Sequence, residues 1–118
     1  MYSVTEALVE RLLALGYDAY SIVPGDEDAP ADFVTVERTG GHVTDMVDHP
    51  SIAVQCWAAT DADAEDMAVA VRNALLTGPR PAGVSRIDVN GGPYRFYDEY
   101  TRCPRYQLAL DVTCQLTD

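Results

Sequence analysis

The clearest pattern in the chain lies between Arg105 and Leu116, where Tyr106, Leu108, Leu110, Val112, Cys114 and Leu116 occupy every second position. Arg105, Gln107, Asp111, Thr113 and Gln115 fill the gaps, with Ala109 as the apolar exception. Side chains alternate across a strand, so this period predicts a strand with one apolar and one wet face. Such a strand needs partner strands for its backbone groups and a covering layer for its apolar side. Ile52, Val54, Cys56 and Ala58 alternate in the same way with Ala53, Gln55 and Trp57, which predicts a central strand. Val34 and Val36 place another strand over residues 33–38, as the expected neighbour of the central one. Shorter strands are expected at 19–23, closed by Pro24-Gly25, and at 84–89. Asn90-Gly91-Gly92-Pro93 has the composition of a turn, so residues 84–96 read as a hairpin whose second arm carries Tyr94 and Phe96.

Two stretches switch to a helical period. Ser3 and Glu6 have the spacing of a capping box, in which each side chain satisfies a free backbone amide of the other. Val4, Leu8, Leu12 and Leu15 then form a stripe widened by Ala7 and Leu13, and Gly16 ends it. The second helix starts at Thr60-Asp61. Asp61, Asp63, Glu65 and Asp66 crowd its positive dipole end, Ala64, Met67, Ala68, Val71, Ala74 and Leu75 make its apolar face, and Gly78-Pro79 stops it. The order helix, strands, helix, strands predicts an α+β single domain over residues 1–118, a mostly antiparallel sheet with two helices packed on it. Stretches near 24–32, 39–50 and 97–104 are long and polar for a domain of this size, and long loops on a compact sheet often contact other chains. The segment 42–49 reads either as a hairpin arm or as a loop.

Composition narrows the function. The 118 residues are enough for one core without staples. Nineteen acidic residues face eight basic ones, all arginine, for a net charge of −11. No basic run is present, which argues against tight binding of nucleic acid or an anionic membrane. An acidic surface instead suits a passage through which DNA slides without sticking. The three cysteines, Cys56, Cys103 and Cys114, show no paired spacing, against a secreted disulfide framework. Cys56 and Cys114 fit as small core hydrophobes. The opening residues have neither a basic lead nor a long apolar run, so no signal peptide is expected and the cytoplasm is the expected place of synthesis.

His42, Asp45, Asp48 and His49 are the grouping nearest to chemistry, since imidazole and carboxylate ligands suit zinc, manganese or iron. Gly40-Gly41 and Pro50 flank them, and no rigid helix fixes their geometry, so a solvated loop is the favoured reading. Asp26, Glu27, Asp28 and Asp32 lack the spacing of an EF-hand. There is no phosphate-binding glycine loop ending in Lys-Ser or Lys-Thr and no Gly-x-Ser-x-Gly elbow, and Cys103, just before Pro104, has no identifiable histidine partner. A ligand pocket around Trp57, Tyr94 and Phe96 is more simply explained as core and cross-strand packing. The residues therefore favour an interaction protein over an enzyme, with no cofactor and no metal.

Five segments, taken together, carry a resemblance: Val34-Thr35-Val36-Glu37-Arg38-Thr39-Gly40-Gly41, the run from Asp48 to Ala58, Val71-Arg72-Asn73-Ala74-Leu75, Gly91-Gly92-Pro93-Tyr94 and Pro104-Arg105-Tyr106-Gln107-Leu108. In order and spacing, across nearly the whole chain, they resemble the tail-terminator family of long-tailed, siphovirus-type bacteriophages, especially those of actinobacteria. The resemblance implies a virion structural protein without enzymatic activity or cofactor. It would form a homohexameric ring on the head-proximal end of the tail tube, end tube polymerisation and present a docking surface to the head connector. DNA would pass through the channel without specific binding. The protein would sit in the neck of the virion, after assembly in the host cytoplasm. Another head–tail connector, a stopper or adaptor, is the nearest alternative, and a small metal-dependent enzyme a more distant one. In a ring, Arg38, Arg80, Arg86 and Arg102 are expected to meet a neighbour's carboxylates. Gly40, Gly41, His42, Asp45 and Asp48 are expected in an assembly arm that orders on docking.

Overall fold

The alternation that begins at Arg105 sits inside a five-stranded sheet. The computed structural model describes residues 2–25, 30–96 and 104–115. Its elements are α1 (Val4–Ala14), β1 (Ala19–Tyr20), β2 (Phe33–Thr44), β3 (Val47–Trp57), α2 (Asp61–Thr77), β4 (Val84–Arg95) and β5 (Arg105–Gln115). The strand order is β1-β2-β3-β5-β4. All neighbours are antiparallel except the short β1, which runs parallel to β2 at Ala19↔Val34 and Tyr20↔Thr35. The fold is α+β, as its residue pattern predicts.

One face of the sheet carries the helices. Register places Val34 beside Cys56, Val36 beside Val54, Val54 beside Leu108 and Ile52 beside Leu110. These side chains share a face because strand residues two apart point the same way. α1 lies against β1 and β2, and α2 crosses β3, β5 and β4. Leu8, Leu12, Val71 and Leu108 are fully enclosed in the resulting core. Burying each such side chain contributes roughly 1.5–3 kcal/mol relative to exposure. Ala64 and Ala68 let α2 approach closely. Both helices are capped as their sequences suggest: Ser3 Oγ accepts from Glu6 N at 3.3 Å, and Thr60 Oγ1 accepts from Asp63 N at 3.1 Å.

Several expectations need correction. On α1, Val9 is buried while Leu13 and Leu15 are exposed; Leu15 is the C-cap, outside the helical repeat. The strand expected at 19–23 stops at Tyr20, leaving Ile22 and Val23 exposed. The Gly-Gly-Pro stretch does not turn. β4 runs unbroken from Val84 to Arg95, with Gly91 opposite Ala109 and Tyr94 opposite Gln107, and absorbs the extra residues as bulges. Proline is tolerated there because β4 is an edge strand and needs no outward N–H. Gly92 is required, since at φ +99 a Cβ would collide with the Gln107 carbonyl. Of the two readings of the segment 42–49, the structure has the hairpin arm and not the loop. The stretch 39–50 forms the distal halves of β2 and β3, paired through His42↔His49 and Thr44↔Val47 and joined by the two residues Asp45 and Met46. The acidic residues Asp26, Glu27 and Asp28, most of the 97–104 stretch and Leu116 lie outside the described residues.

The opposite face is less wet than its alternation suggests. Phe33, Trp57 and Arg105 are register partners across β2, β3 and β5. Phe33 stacks on Trp57 at 5.3 Å, and the Arg105 guanidinium lies 4.5 Å from the Trp57 ring and 4.3 Å from Phe96. Arg105 is only 8% exposed as a result. In the next row, Trp57 Nε1 donates to Thr35 Oγ1, Thr35 Oγ1 to Gln55 Oε1, Gln55 Nε2 to Gln107 Oε1, and Gln107 Nε2 to the Tyr94 hydroxyl. An aromatic–guanidinium row and an amide row thus brace the sheet where no helix covers it. Trp57, Tyr94 and Phe96 belong to this bracing.

Candidate assembly interface

The β2–β3 arm is built by one clamp and one bulge. Arg38 closes the core-facing row of β2 opposite Ile52. Its Nη1 and Nη2 donate to the two carboxylate oxygens of Asp48, each at 3.0 Å, and its Nε donates to the Gly40 carbonyl at 3.2 Å. This fork-to-fork contact with Asp48 raises the Arg38 pKa further above its already high ordinary value. Register slips by one residue between Arg38 and Gly40, and Thr39 Oγ1 donates to the Ser51 carbonyl. Gly41, at φ +129, passes so close to His49 that any Cβ would strike its carbonyl oxygen. Beyond it, the His42 and His49 rings stack at 4.7 Å and 17°.

The tip carries strain and exposed apolar surface together. Asp45 (φ 52) and Met46 (φ 66) both adopt the left-handed region, as a two-residue hairpin turn demands. Glycine or asparagine would do so at lower cost. Met46 is 73% exposed and Val43 54% exposed.

The sheet ends in two unlike edges. β1 covers β2 only at Val34 and Thr35, so the outer side of β2 from residue 36 to residue 44 has no partner strand among the described residues. β4 is free along its whole outer side by the same measure. Unpaired edges present rows of N–H and C=O groups ready to pair with another chain.

Beside the start of β4 lies a cleft of about 700 Å³, between that strand and the C-terminus of α2. Leu76, Pro79, Arg80, Ser85, Arg86 and Ile87 line it. Arg86 Nε is paired with Asp88 at 2.8 Å. Arg80 is exposed and has no ion-pair partner among the described residues.

The expected site residues therefore divide into groups. Arg38, Gly40, Gly41, His42, Asp45 and Asp48 do share one arm. Arg38 and Arg86, expected to meet a neighbour's carboxylates, are already engaged by Asp48 and Asp88 of their own chain. Arg80 and Arg86 share the cleft, and Arg102 lies outside the described residues. The grouping of His42, Asp45, Asp48 and His49 is not brought together: the histidines stack on each other, Asp48 is held by Arg38, and Asp45 occupies the turn. Among the described residues no three His, Cys, Asp or Glu side chains are placed to hold one metal ion, and no helix is long and apolar enough to cross a membrane. Cys56 and Cys114 are buried, and burial pushes the Cys56 thiol up to about 12.

Sequence reasoning passed over Val43, Met46, Leu76 and Ile87. The one available signal was an aspartate-methionine pair where a tight turn would normally carry glycine. No protein-family model matches the chain, and no curated protein matches it.

Proposed function

We propose that this protein is a ring-forming virion component of a long-tailed phage, a tail terminator that caps the head-proximal end of the tail tube. The observation that carries the reading is the pair of dissimilar free edges on opposite sides of one sheet, the distal half of β2 and the whole of β4. A self-complementary pair of like edges favours a closed dimer. Two different edges favour head-to-tail contacts, which close into rings when the rotation between copies allows.

Strand directions support the same assembly. β2 is antiparallel to β3, β3 to β5, and β5 to β4, so β2 and β4 run oppositely. Copies related by rotation about an axis along the strands keep those directions, and β2 of one copy would meet β4 of the next as an antiparallel pair. The free portions are similar in extent: residues 36–44 on β2, and residues 84–91 on β4 before Pro93 interrupts its donors. The charge of −11 on each copy keeps free subunits apart over roughly 8–10 Å at physiological salt, so assembly depends on specific contacts. An acidic ring also suits passage of DNA without binding. The sequence resemblance adds the location, between the tail tube and the head connector.

Electron microscopy of the purified protein, alone and with tail tubes, tests this reading. Rings in solution and density at the upper rim of the tube are expected. A chain that stays monomeric at all concentrations and leaves tube ends bare would refute it, and density on the connector side alone would favour a stopper or adaptor.

A further inference from the structure

The tip of the arm and the cleft beside β4 lie at the same end of the sheet. Val47 is opposite Gln115, and Val84 is opposite Cys114 on the other side of β5. Asp45 and Met46, which join β2 to β3, are therefore level with the start of β4, where Ser85, Arg86 and Ile87 line the cleft. If a second copy continues the sheet edge to edge, the first copy's tip arrives at the second copy's cleft. Strand direction and register within each copy put tip and cleft at the same end, so the two meet when the edges pair without stagger.

The surfaces that would meet are complementary. The tip offers two large exposed apolar side chains, Val43 and Met46, around one carboxylate, Asp45. The cleft offers the exposed Leu76 with Pro79 and Ile87, flanked by Arg80 and Arg86. Arg80 has no ion pair within the described chain. On a chain with net charge −11, Arg80 stands at the rim of this cleft as an exposed cation, while Arg86 beside it is already held by Asp88. A methionine held at φ +66 and left in solvent is costly for the isolated chain, and such cost is commonly kept where a residue serves a contact.

From this we infer that the β2–β3 tip of one copy seats in the α2–β4 cleft of the next, with Met46 against Leu76 and Ile87, and Asp45 facing Arg80. The partner is a second copy of this chain. The inference rests on the ring-forming reading and names the contact that closes each step of the ring.

Cysteine cross-linking tests it. Cys103 is replaced by serine, while Cys56 and Cys114 are buried and stay. Met46→Cys and Leu76→Cys, both at exposed positions, are made separately and together, and oxidised with diamide under assembly conditions. The two single variants mixed should give one covalent dimer between unlike chains. The double variant should give a ladder of covalent multimers that ends at the ring number. In parallel, Arg80→Glu should weaken self-association at least tenfold, by light scattering across a dilution series. A ladder that stops at dimers would mean like-with-like pairing and overturn the inference. An intact oligomer with no cross-link, or one indifferent to Arg80→Glu, would overturn this contact while leaving the ring in place. A chain monomeric at every concentration would overturn both.

Discussion

Replacing Met46 by glycine should make the isolated domain more stable. Met46 sits at φ +66 in the turn between β2 and β3, where an L-residue with a side chain costs roughly 1–2 kcal/mol. The side chain is 73% exposed, so deleting it forfeits little burial. Glycine adds freedom to the unfolded chain, which offsets about 0.5–1 kcal/mol of the gain. The net expectation is a stabilisation of about 0.5–1 kcal/mol. With an unfolding entropy of about 2 cal/mol/K per residue, a domain of this length gains roughly 2–4 °C in Tm. Met46→Ala is the control. It removes the same apolar surface but keeps the Cβ and the strained φ, so it should stay within about 0.3 kcal/mol of the parent. Urea titration at concentrations where the midpoint no longer depends on protein concentration isolates the monomer. An unchanged or lower midpoint for Met46→Gly, or an equal gain for Met46→Ala, would mean that the turn does not hold Met46 in the left-handed region. The reasoning from strain would then fail.

Arg105→Ala should destabilise the domain by about 2–3 kcal/mol, because the guanidinium is sandwiched between Trp57 and Phe96 in a largely desolvated site. Arg105→Lys should recover little of that loss, since an ammonium cannot stack flat on two rings. Trp57, the sole tryptophan, reports the change by fluorescence, and a lysine variant as stable as the parent would contradict the stacking account. Stability should also fall in alkali. The buried Cys56 thiol, with its pKa pushed by burial from its ordinary value up to about 12, keeps its proton in the folded chain while the unfolded chain releases it. Its contribution is full below pH 9 and is lost between pH 9 and 12, at up to about 1.4 kcal/mol per pH unit. Cys56→Ala should flatten that slope without abolishing it, because Tyr2, Tyr17 and Cys114 are also shifted upward by burial. Identical slopes in the two proteins would exclude Cys56 as a source.

Much of the architecture could be read from local patterns because local physics produces it. The alternation in β3 and β5 follows from side chains pointing to opposite faces of a strand. The starts of α1 and α2 follow from Ser3 and Thr60 accepting from amides that the helix itself leaves free. The α+β class then follows from the order of the elements. Other features depend on which segments become neighbours, and periodicity carries no record of that. Gly91-Gly92-Pro93 reads as a turn until β5 is placed alongside it, when the ladder on both sides makes it a bulge. Arg105 reads as solvated until Trp57 and Phe96 close over it. Arg38 reads as available to a neighbour until the register of the hairpin brings Asp48, ten residues on, within 3.0 Å. The free edges, and the placing of the arm tip level with the cleft, arise only when five strands take one order in one sheet. Pairing between distant segments is decided by the joint packing of all of them, so a local run of residues cannot specify it.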